Sequence, residues 1–538
     1  MTTVATPREP TLEAKPSPTT GRAPFALWAL GAVAVTPAIA PIIYLLWSVV
    51  RAGATDTSGI SASRLLELFI STAVLAVAVT VTTTVLGVAT AWLTTRTDLS
   101  ARRMWSTLVT LPLVIPSYVG ALAMLGTSGN SGLITEALRA VGLPGFPVFS
   151  GFWAAWGALS LWNFSFVHLL VVPAIRRMDP ALEEAARGLG ASRLVTLRTI
   201  VLPQLRPALV GGALLVGLYV LSDFGAVSLL RYETFTRAIY AQFRGRLDMT
   251  PALFLSGVLV MVALVLVWIE QRSRGRAVLA ARRPTRQPEV VRLGGVGRLA
   301  AYGFLAAVVV GALVLPLLTL SWWTFRGFSL GTSVDTVLPE VIGSASVSTL
   351  AALATVLAAI PLAILTVRYS GRATRMMESI SWSTYSLPHL AVGLGFLVIA
   401  LRFVPALYQT IPLMVIAYVA MFLPQALIAA QVGLRQIGTN IEEASRGLGA
   451  GSLRTLRKVT LPLLWPSLLA GGALVFLTVM KELPATLLLR PTGFETLAVT
   501  IWSASSELFY TEASVAALVL IAISAVPLYF LVARDLHD

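Results

Sequence analysis

Twelve long apolar runs divide the chain, and about 20 consecutive apolar residues is the length that crosses a bilayer. They lie at about 25–50, 69–93, 106–126, 150–174, 207–229 and 251–269, then at about 299–323, 344–367, 379–402, 410–432, 466–489 and 512–533. Lipid offers no partner to a backbone N–H or C=O, so runs of this length are helices. The pattern predicts an all-α polytopic membrane protein with twelve transmembrane helices. Composition agrees: 12% of the 538 residues are charged, about half the ~25% of a soluble domain. The first run is too long for a signal-peptide core and lacks a convincing cleavage site, so it reads as a helix that stays.

Charge placement gives the orientation. The stretch from Glu270 to Arg298 holds eight arginines, including Arg282, Arg283 and Arg286. It reads as a basic cytoplasmic linker between two six-helix domains, 25–269 and 299–538. Six helices on each side then put both chain ends in the cytoplasm and make the halves parallel, related by an axis along the membrane normal. Residues 1–24, polar and rich in Thr and Pro, read as a disordered cytoplasmic tail. On this topology the cytoplasmic segments hold 29 Lys and Arg against 13 Asp and Glu, and the rest 11 against 12, which recovers the net +15. Basic residues gathered on one side of a bilayer are the positive-inside pattern. A nucleic-acid protein would instead show a basic face on a folded domain, so no nucleic-acid partner is expected.

The halves also share a duplicated loop. Glu183 to Leu209 reads EEAARGLGASRLVTLRTIVLPQLRPAL, and Glu442 to Leu468 reads EEASRGLGAGSLRTLRKVTLPLLWPSL. The register is constant (442 − 183 = 259) and 17 of 27 positions are identical. These loops, about 176–206 and 435–465, fall between the fourth and fifth helix of each half. Asp179-Pro180 suits an N-cap followed by proline at the first helical position. Glu183 and Glu184 fall in early turns, where the helix dipole favours acids. Thr439 and Glu442 have capping-box spacing. Each first helix is expected to stop near Gly188 and Gly190, or Gly447 and Gly449. A second short helix follows, with Leu194, Leu197 and Ile200 on one stripe, matched by Leu453, Leu456 and Val459. Pro203 and Pro462 are expected to end it before the next span. Residues alone leave two readings open: a hairpin that caps the bundle, or one that docks into a groove on a partner.

The spacing resembles the signature of bacterial ABC-importer permeases: Glu-Ala-Ala, three residues, Gly, nine residues, Ile, one residue, Leu-Pro. Here it is Glu184, Ala185, Ala186, Gly190, Ile200, Leu202 and Pro203. The second copy is Glu443, Ala444, Ser445, Gly449, Val459, Leu461 and Pro462, with Ser445 and Val459 as mild departures. The resemblance implies the type I ABC importer permease fold in a bacterial inner membrane, with each loop serving as a coupling helix. It implies two copies of a separate ABC ATPase, which binds the ATP and Mg, and an extracytoplasmic solute-binding protein. This chain has three lysines, Lys15, Lys458 and Lys481, none after glycine, so it carries no Walker A sequence. It is expected to be a transport subunit and not an enzyme, with no cofactor of its own.

Past each loop, Ser222-Asp223-Phe224 and Lys481-Glu482-Leu483 return to the same register (482 − 223 = 259). An ionisable residue inside a span costs about 2.5–3.5 kcal/mol at its centre on insertion scales. One reading puts Asp223 and Glu482 on the central path, as transient ligands for a hard cation. The other has Glu482 neutralise Lys481 or cap a helix end near the outer surface. The stretches 222–240 and 481–503 resemble the ferric-iron permeases, fused chains of about this length. Related permeases carry thiamine, polyamine, sulfate or aminoethylphosphonate. A secondary transporter would not need two matching coupling loops.

Other polar residues carry less. Asn163 and His168 in the fourth helix are expected to make inter-helix hydrogen bonds. His389 is a candidate for the path, because Pro388 would break the ninth helix and free backbone carbonyls. Pro112 and Pro116 form the matching kink in the third. The glycine pairs 211–212 and 471–472 suit close helix packing. The chain has no cysteine and three histidines, which excludes disulfides and leaves little room for a zinc site.

Overall fold

The computed structural model describes residues 23–55, 59–245, 248–274, 290–331, 337–369 and 371–537. Most of the N-terminal tail and the middle of the basic linker lie outside these residues. In the first half the chain runs through α1 (Phe25–Thr55), α2 (Ala62–Arg96), α3 (Arg102–Thr110), α4 (Ser117–Thr127), α5 (Leu133–Ala140) and α6 (Gly151–Arg176). It continues through α7 (Pro180–Gly188), α8 (Arg193–Thr196), α9 (Leu202–Ser222), α10 (Gly225–Leu229), α11 (Phe235–Gly245) and α12 (Thr250–Arg274). The second half begins with α13 (Gly295–Val309), α14 (Leu315–Ser329), α15 (Leu338–Arg368), α16 (Arg372–Tyr385), α17 (His389–Phe403) and α18 (Ile411–Gln436). It ends with α19 (Thr439–Gly447), α20 (Ser452–Thr455), α21 (Leu461–Met480), α22 (Pro484–Leu489), α23 (Leu497–Ser506) and α24 (Tyr510–His537). Among the described residues there is no strand beyond one isolated bridge, Thr97 to Val291.

Among the described residues nine helices are long and apolar enough to cross a membrane, and two broken pairs bring the number to eleven. The last run forms α24, 28 residues long. The surface of these helices is what lipid requires. On α2, Leu66, Ile70, Val74, Val77, Val81 and Val85 are exposed at helical spacing, while Leu68, Leu75, Val79, Thr83 and Thr90 face inward. Water would penalise such a stripe; hydrocarbon does not.

Two spans depart from straight helices. The third breaks between Val114 and Ser117, and its two parts are bent by 93°. Ile115 precedes Pro116 and is extended, at φ −84° and ψ 113°, because the proline ring crowds the helical conformation of the residue before it. The ninth is interrupted at the matching place, ahead of Pro388. The fifth and eleventh spans stop at Ser222 and Met480, short of the 229 and 489 expected. Asp223 and Glu482 terminate them, and short helices α10 and α22 follow.

Backbone contacts divide the chain into two compact units that do not follow the sequence halves. The smaller takes the chain up to Ala38 with Leu350–Tyr385 and Tyr418–Phe476; the larger takes Ile39–Thr349, Ser386–Ala417 and Leu477–Asp538. In the larger unit, Leu99, Val109 and Phe164 form a core with Leu305, Val308, Val309 and Ala312 of the seventh span. The Trp162 indole N–H donates to the Ala312 carbonyl (3.1 Å). In the smaller unit, Gly433 lets α18 lie against Leu464 and Ser467, where a Cβ would come within 2.6 Å.

Register across the halves locates an insertion. Arg96 and Arg368 end the second and eighth spans (368 − 96 = 272), and Pro116 and Pro388 mark the two breaks (388 − 116 = 272). Beyond the fourth span the offset is 259. The first half therefore holds 13 extra residues between its third and fourth spans. That interval contains α5, which the second half lacks. Arg326 of α14 pairs with Glu136 of α5.

Candidate functional site

The duplicated loops fold alike, as two elbows. In the first, Asp179 caps α7 by accepting from the Ala181 N–H (3.0 Å), and Pro180 takes the first helical position. The helix closes at Gly190, whose φ is +85°, with Gly190 N–H on Arg187 O (2.9 Å) and Ala191 N–H on Ala186 O (3.0 Å). This is a Schellman ending, which needs a left-handed residue just past the helix. The second copy matches: Gly449 has φ +83°, and Gly449 and Ala450 donate to Arg446 O and Ser445 O (3.0 and 3.2 Å). A Cβ on either glycine would meet nothing within 4 Å. Each elbow carries a bare apolar tip, because Leu189 and Leu448 are both 90% exposed.

Two expectations for these loops need correction. Pro203 and Pro462 do not end a short helix. α8 runs through a π turn, Leu197–Val201, straight into α9, and α20 runs through Leu456–Thr460 into α21. The wider π turn stands where a proline ring would otherwise crowd the preceding turn. Ile200 and Val459 lie inside these turns. Secondly, Thr439 is not the cap of a capping box: α19 begins at Thr439 with Gly438 before it, and no side chain caps it. Glu442 is engaged elsewhere.

That engagement is a feature the sequence reading missed. Arg96 Nη2 donates to Glu183 Oε2 (2.6 Å), and Arg368 Nη2 donates to Glu442 Oε1 (3.2 Å); all four residues are buried. The last residue of the second or eighth span thus holds the first glutamate of an elbow. The Arg96 guanidinium also lies over the Trp92 ring, 5.1 Å from its centroid. The two copies differ in one respect. Thr460 Oγ1 donates to Glu442 Oε1 (3.1 Å), but the counterpart of Thr460 is Val201, and Glu183 Oε1 has no hydrogen-bond partner among the described residues. Ser445, the departure from alanine, lies 3.1 Å from the Thr455 hydroxyl and ties α19 to α20. Glu184 and Glu443 are exposed.

The basic linker reaches the end of α2 and the loop beyond it. Val291 N–H donates to Arg96 O (2.7 Å), and Asp98 N–H donates to Val291 O (3.2 Å). Asp98 accepts from the Leu293 N–H (2.9 Å) and from Arg298 (2.7 Å). The Leu293 amide, assisted by Arg298, holds the Asp98 carboxyl below its ordinary range, although some burial opposes this.

At the other end of α9 and α21 stand the two acids, each 7% exposed. Asp223 accepts from the Ala226 and Val227 N–H groups (3.0 and 3.3 Å), capping α10, and from Ser117 Oγ (2.5 Å). Glu482 accepts from the Ala485 N–H (3.1 Å), capping α22, and its Oε2 lies 2.8 Å from His389 Nδ1. Ser117 follows Pro116 and His389 follows Pro388. Each acid is therefore latched to the first residue after the break in a proline-broken span. The two latches are neighbours: a Cβ on Gly225 would lie 3.1 Å from Leu483 Cδ2. Lys481 donates to the Leu113 carbonyl (3.2 Å), a group of the turn that precedes the break. Among the described residues no group of three or more His, Asp or Glu is placed to hold a metal ion.

The remaining polar residues are internal fittings. His168 is buried between Thr90 Oγ1 (3.0 Å) and Ser106 Oγ (3.2 Å), and so bridges three helices. Asn163 donates within its own helix, to Leu159 O (2.7 Å). Gly212 and Gly471 face Val167 and Ala429 at packing distance.

A model of the "Binding-protein-dependent transport system inner membrane component" family matches residues 83–269 and 353–534, one segment in each half. The chain belongs to this family. Each matched segment of the permease contains one elbow and one latch acid. Among curated relatives, the "Fe(3+)-transport system permease protein FbpB 2" of Haemophilus influenzae is 30% identical over 515 residues, 95% of this permease and 98% of that protein. The "Ferric transport system permease protein FbpB" of Actinobacillus pleuropneumoniae is 28% identical over 431 residues, 76% of this chain and 62% of that one. The "Sulfate transport system permease protein CysT" of Salmonella typhimurium is 32% identical over 143 residues, 27% of this chain and 50% of that one. The permease is a multi-pass membrane protein related to transport proteins.

Proposed function

We propose that this permease moves ferric iron inward, from an extracytoplasmic binding protein to the cytoplasm, in a machine whose ATPase is a separate subunit. The elbows carry the reading. Each presents a bare leucine at a glycine turn, and each is anchored by a buried arginine to a membrane span, so a push on the elbow reaches that span. Two elbows call for two ATPase copies, each binding ATP and Mg. Residues 184–186, 190, 200 and 202–203, with 443–445, 449, 459 and 461–462, form the coupling surfaces. The orientation is that of the charge pattern, with both termini in the cytoplasm of a bacterial cell. The halves 25–269 and 299–538 act as the two permease domains.

Iron is favoured by the names of the relatives that match most of the chain, and by the latches. Carboxylate oxygens suit hard cations. Asp223 and Glu482 each retain lone pairs beyond the bonds described. A cation arriving at the path would draw these acids from Ser117 and His389, and the broken third and ninth spans would move with them. A sulfate permease is the second reading, but the sulfate relative given above matches only 27% of the chain.

The test is uptake by proteoliposomes containing the permease, its ATPase and its binding protein. Radioactive ferric iron should accumulate with ATP, and Asp223→Asn with Glu482→Gln should abolish uptake while sparing assembly and basal ATPase activity. Unchanged transport in the double variant removes the acids from the path. Sulfate uptake without iron uptake overturns the cargo.

A further inference from the structure

In the larger unit, at the end of α9 away from its elbow, a cavity of about 330 Å³ lies among α11, α22 and α23. It is lined by Tyr240, Arg244, Arg490, Trp502, Ser503 and Glu507, with Phe243 and Leu487. Its polar groups are mostly donors: two guanidinium groups, two hydroxyls and an indole N–H, against one carboxylate. Trp502 is 7% exposed, and its indole N–H has no hydrogen-bond partner among the described residues. A buried donor without an acceptor is costly and rare in a folded protein. The ring is fixed in place, edge-on to Tyr240 with centroids 5.3 Å apart, and 5.7 Å from Phe224. Arg490 is held by the Phe494 carbonyl (3.1 Å) and by Glu495. Arg244, at the end of α11, is exposed.

We propose that this cavity binds a small oxyanion, a phosphate or a carboxylate. Guanidinium groups match the planar or tetrahedral oxygens of such anions, and both the indole N–H and the hydroxyls can donate to them. A cation would meet two like charges. The position gives the site a setting: Phe224, which packs on Trp502, is the residue after latch acid Asp223, so the cavity adjoins the turn that holds Asp223. The inference does not depend on the cargo.

The experiment is equilibrium dialysis of the purified full-length permease in lipid nanodiscs, without iron, ATPase or binding protein, at fixed ionic strength. The probes are radiolabelled inorganic phosphate and citrate. Saturable binding of at least one of them, near one per chain, is expected. Arg244→Gln, at an exposed position, should weaken it more than 10-fold. Trp502→Phe, which keeps the ring and removes only the N–H, should weaken it by roughly 10-fold, the worth of one hydrogen bond to a charged group. Thermal melting without anion should match the parent for Arg244→Gln, so that variant alone decides if Trp502→Phe fails to fold. No saturable binding of either probe at millimolar concentration overturns the proposal, and so does binding that Arg244→Gln leaves unchanged.

Discussion

Arg96 ends the second span, and its guanidinium meets Glu183 of the first elbow at 2.6 Å in a buried pair 87 residues apart in sequence. Arg368 and Glu442 repeat the arrangement. Removing one partner of a buried pair leaves an uncompensated charge, which typically costs about 3–5 kcal/mol. Arg96→Met should therefore lower thermal stability by about that amount. Arg96→Met with Glu183→Met should recover much of the loss, because no lone charge remains. A double variant as unstable as the sum of the singles would show that the pair does not act as a unit. The measurement is a denaturation series in detergent, analysed as a double-mutant cycle.

Val201 and Thr460 occupy equivalent positions, yet only Thr460 reaches its glutamate. Val201→Thr keeps the branched shape and supplies Glu183 Oε1 with the donor it lacks. A gain of about 1 kcal/mol is expected, the net worth of one hydrogen bond. Thr460→Val should lose a similar amount. The two melting shifts should be opposite in sign.

Asp98 joins the linker to the loop beyond α2, and its carboxyl is held below its ordinary value of 3.8 by the Leu293 amide first and Arg298 next. A group depressed in the folded state stabilises it fully above the unfolded value, and the contribution fades as pH falls through the folded value. Protection of the Leu293 amide from hydrogen exchange should hold at pH 5 and above and decline below pH ~3.8. Asp98→Asn should show lower protection with no such decline.

Gly190 and Gly449 hold left-handed conformations with open space around them. Alanine there would clash with nothing, so its cost is backbone strain alone, roughly 1–2 kcal/mol at each site. The double variant Gly190→Ala with Gly449→Ala should assemble in the membrane but respond poorly to its ATPase. The readout is the rise in ATPase activity caused by loaded binding protein.

Much of this architecture is legible in the sequence because lipid imposes a simple rule on length and polarity. The prolines at 116 and 388 signal the broken spans, and glycine at 190 and 449 signals the elbows. The misread features come from longer range. Thr439 and Glu442 have the local pattern of a capping box, but Arg368, 74 residues earlier, takes the glutamate. Arg96 and Arg368 look like ordinary basic residues at span ends, and only their shared offset of 272 hints at a common task. His389 and Glu482 read as separate candidates in the sequence, 93 residues apart; their meeting at 2.8 Å is a tertiary fact. The role of Ser117 follows only once Pro116 and Pro388 are aligned.

The π turns at Leu197–Val201 and Leu456–Thr460 change how helical faces are counted. Each turn accommodates one more residue than an α-helix would, and one residue amounts to 100° of rotation. A stripe drawn from Leu194 through Ile200 into α9 at a constant 3.6 residues per turn therefore points to the wrong side once past Val201. Helical arithmetic has to restart at Leu202 in one half and at Leu461 in the other. A one-residue deletion within either turn would remove the residue it absorbs and leave a plain α-helix, with the elbow keeping its orientation to the span that follows.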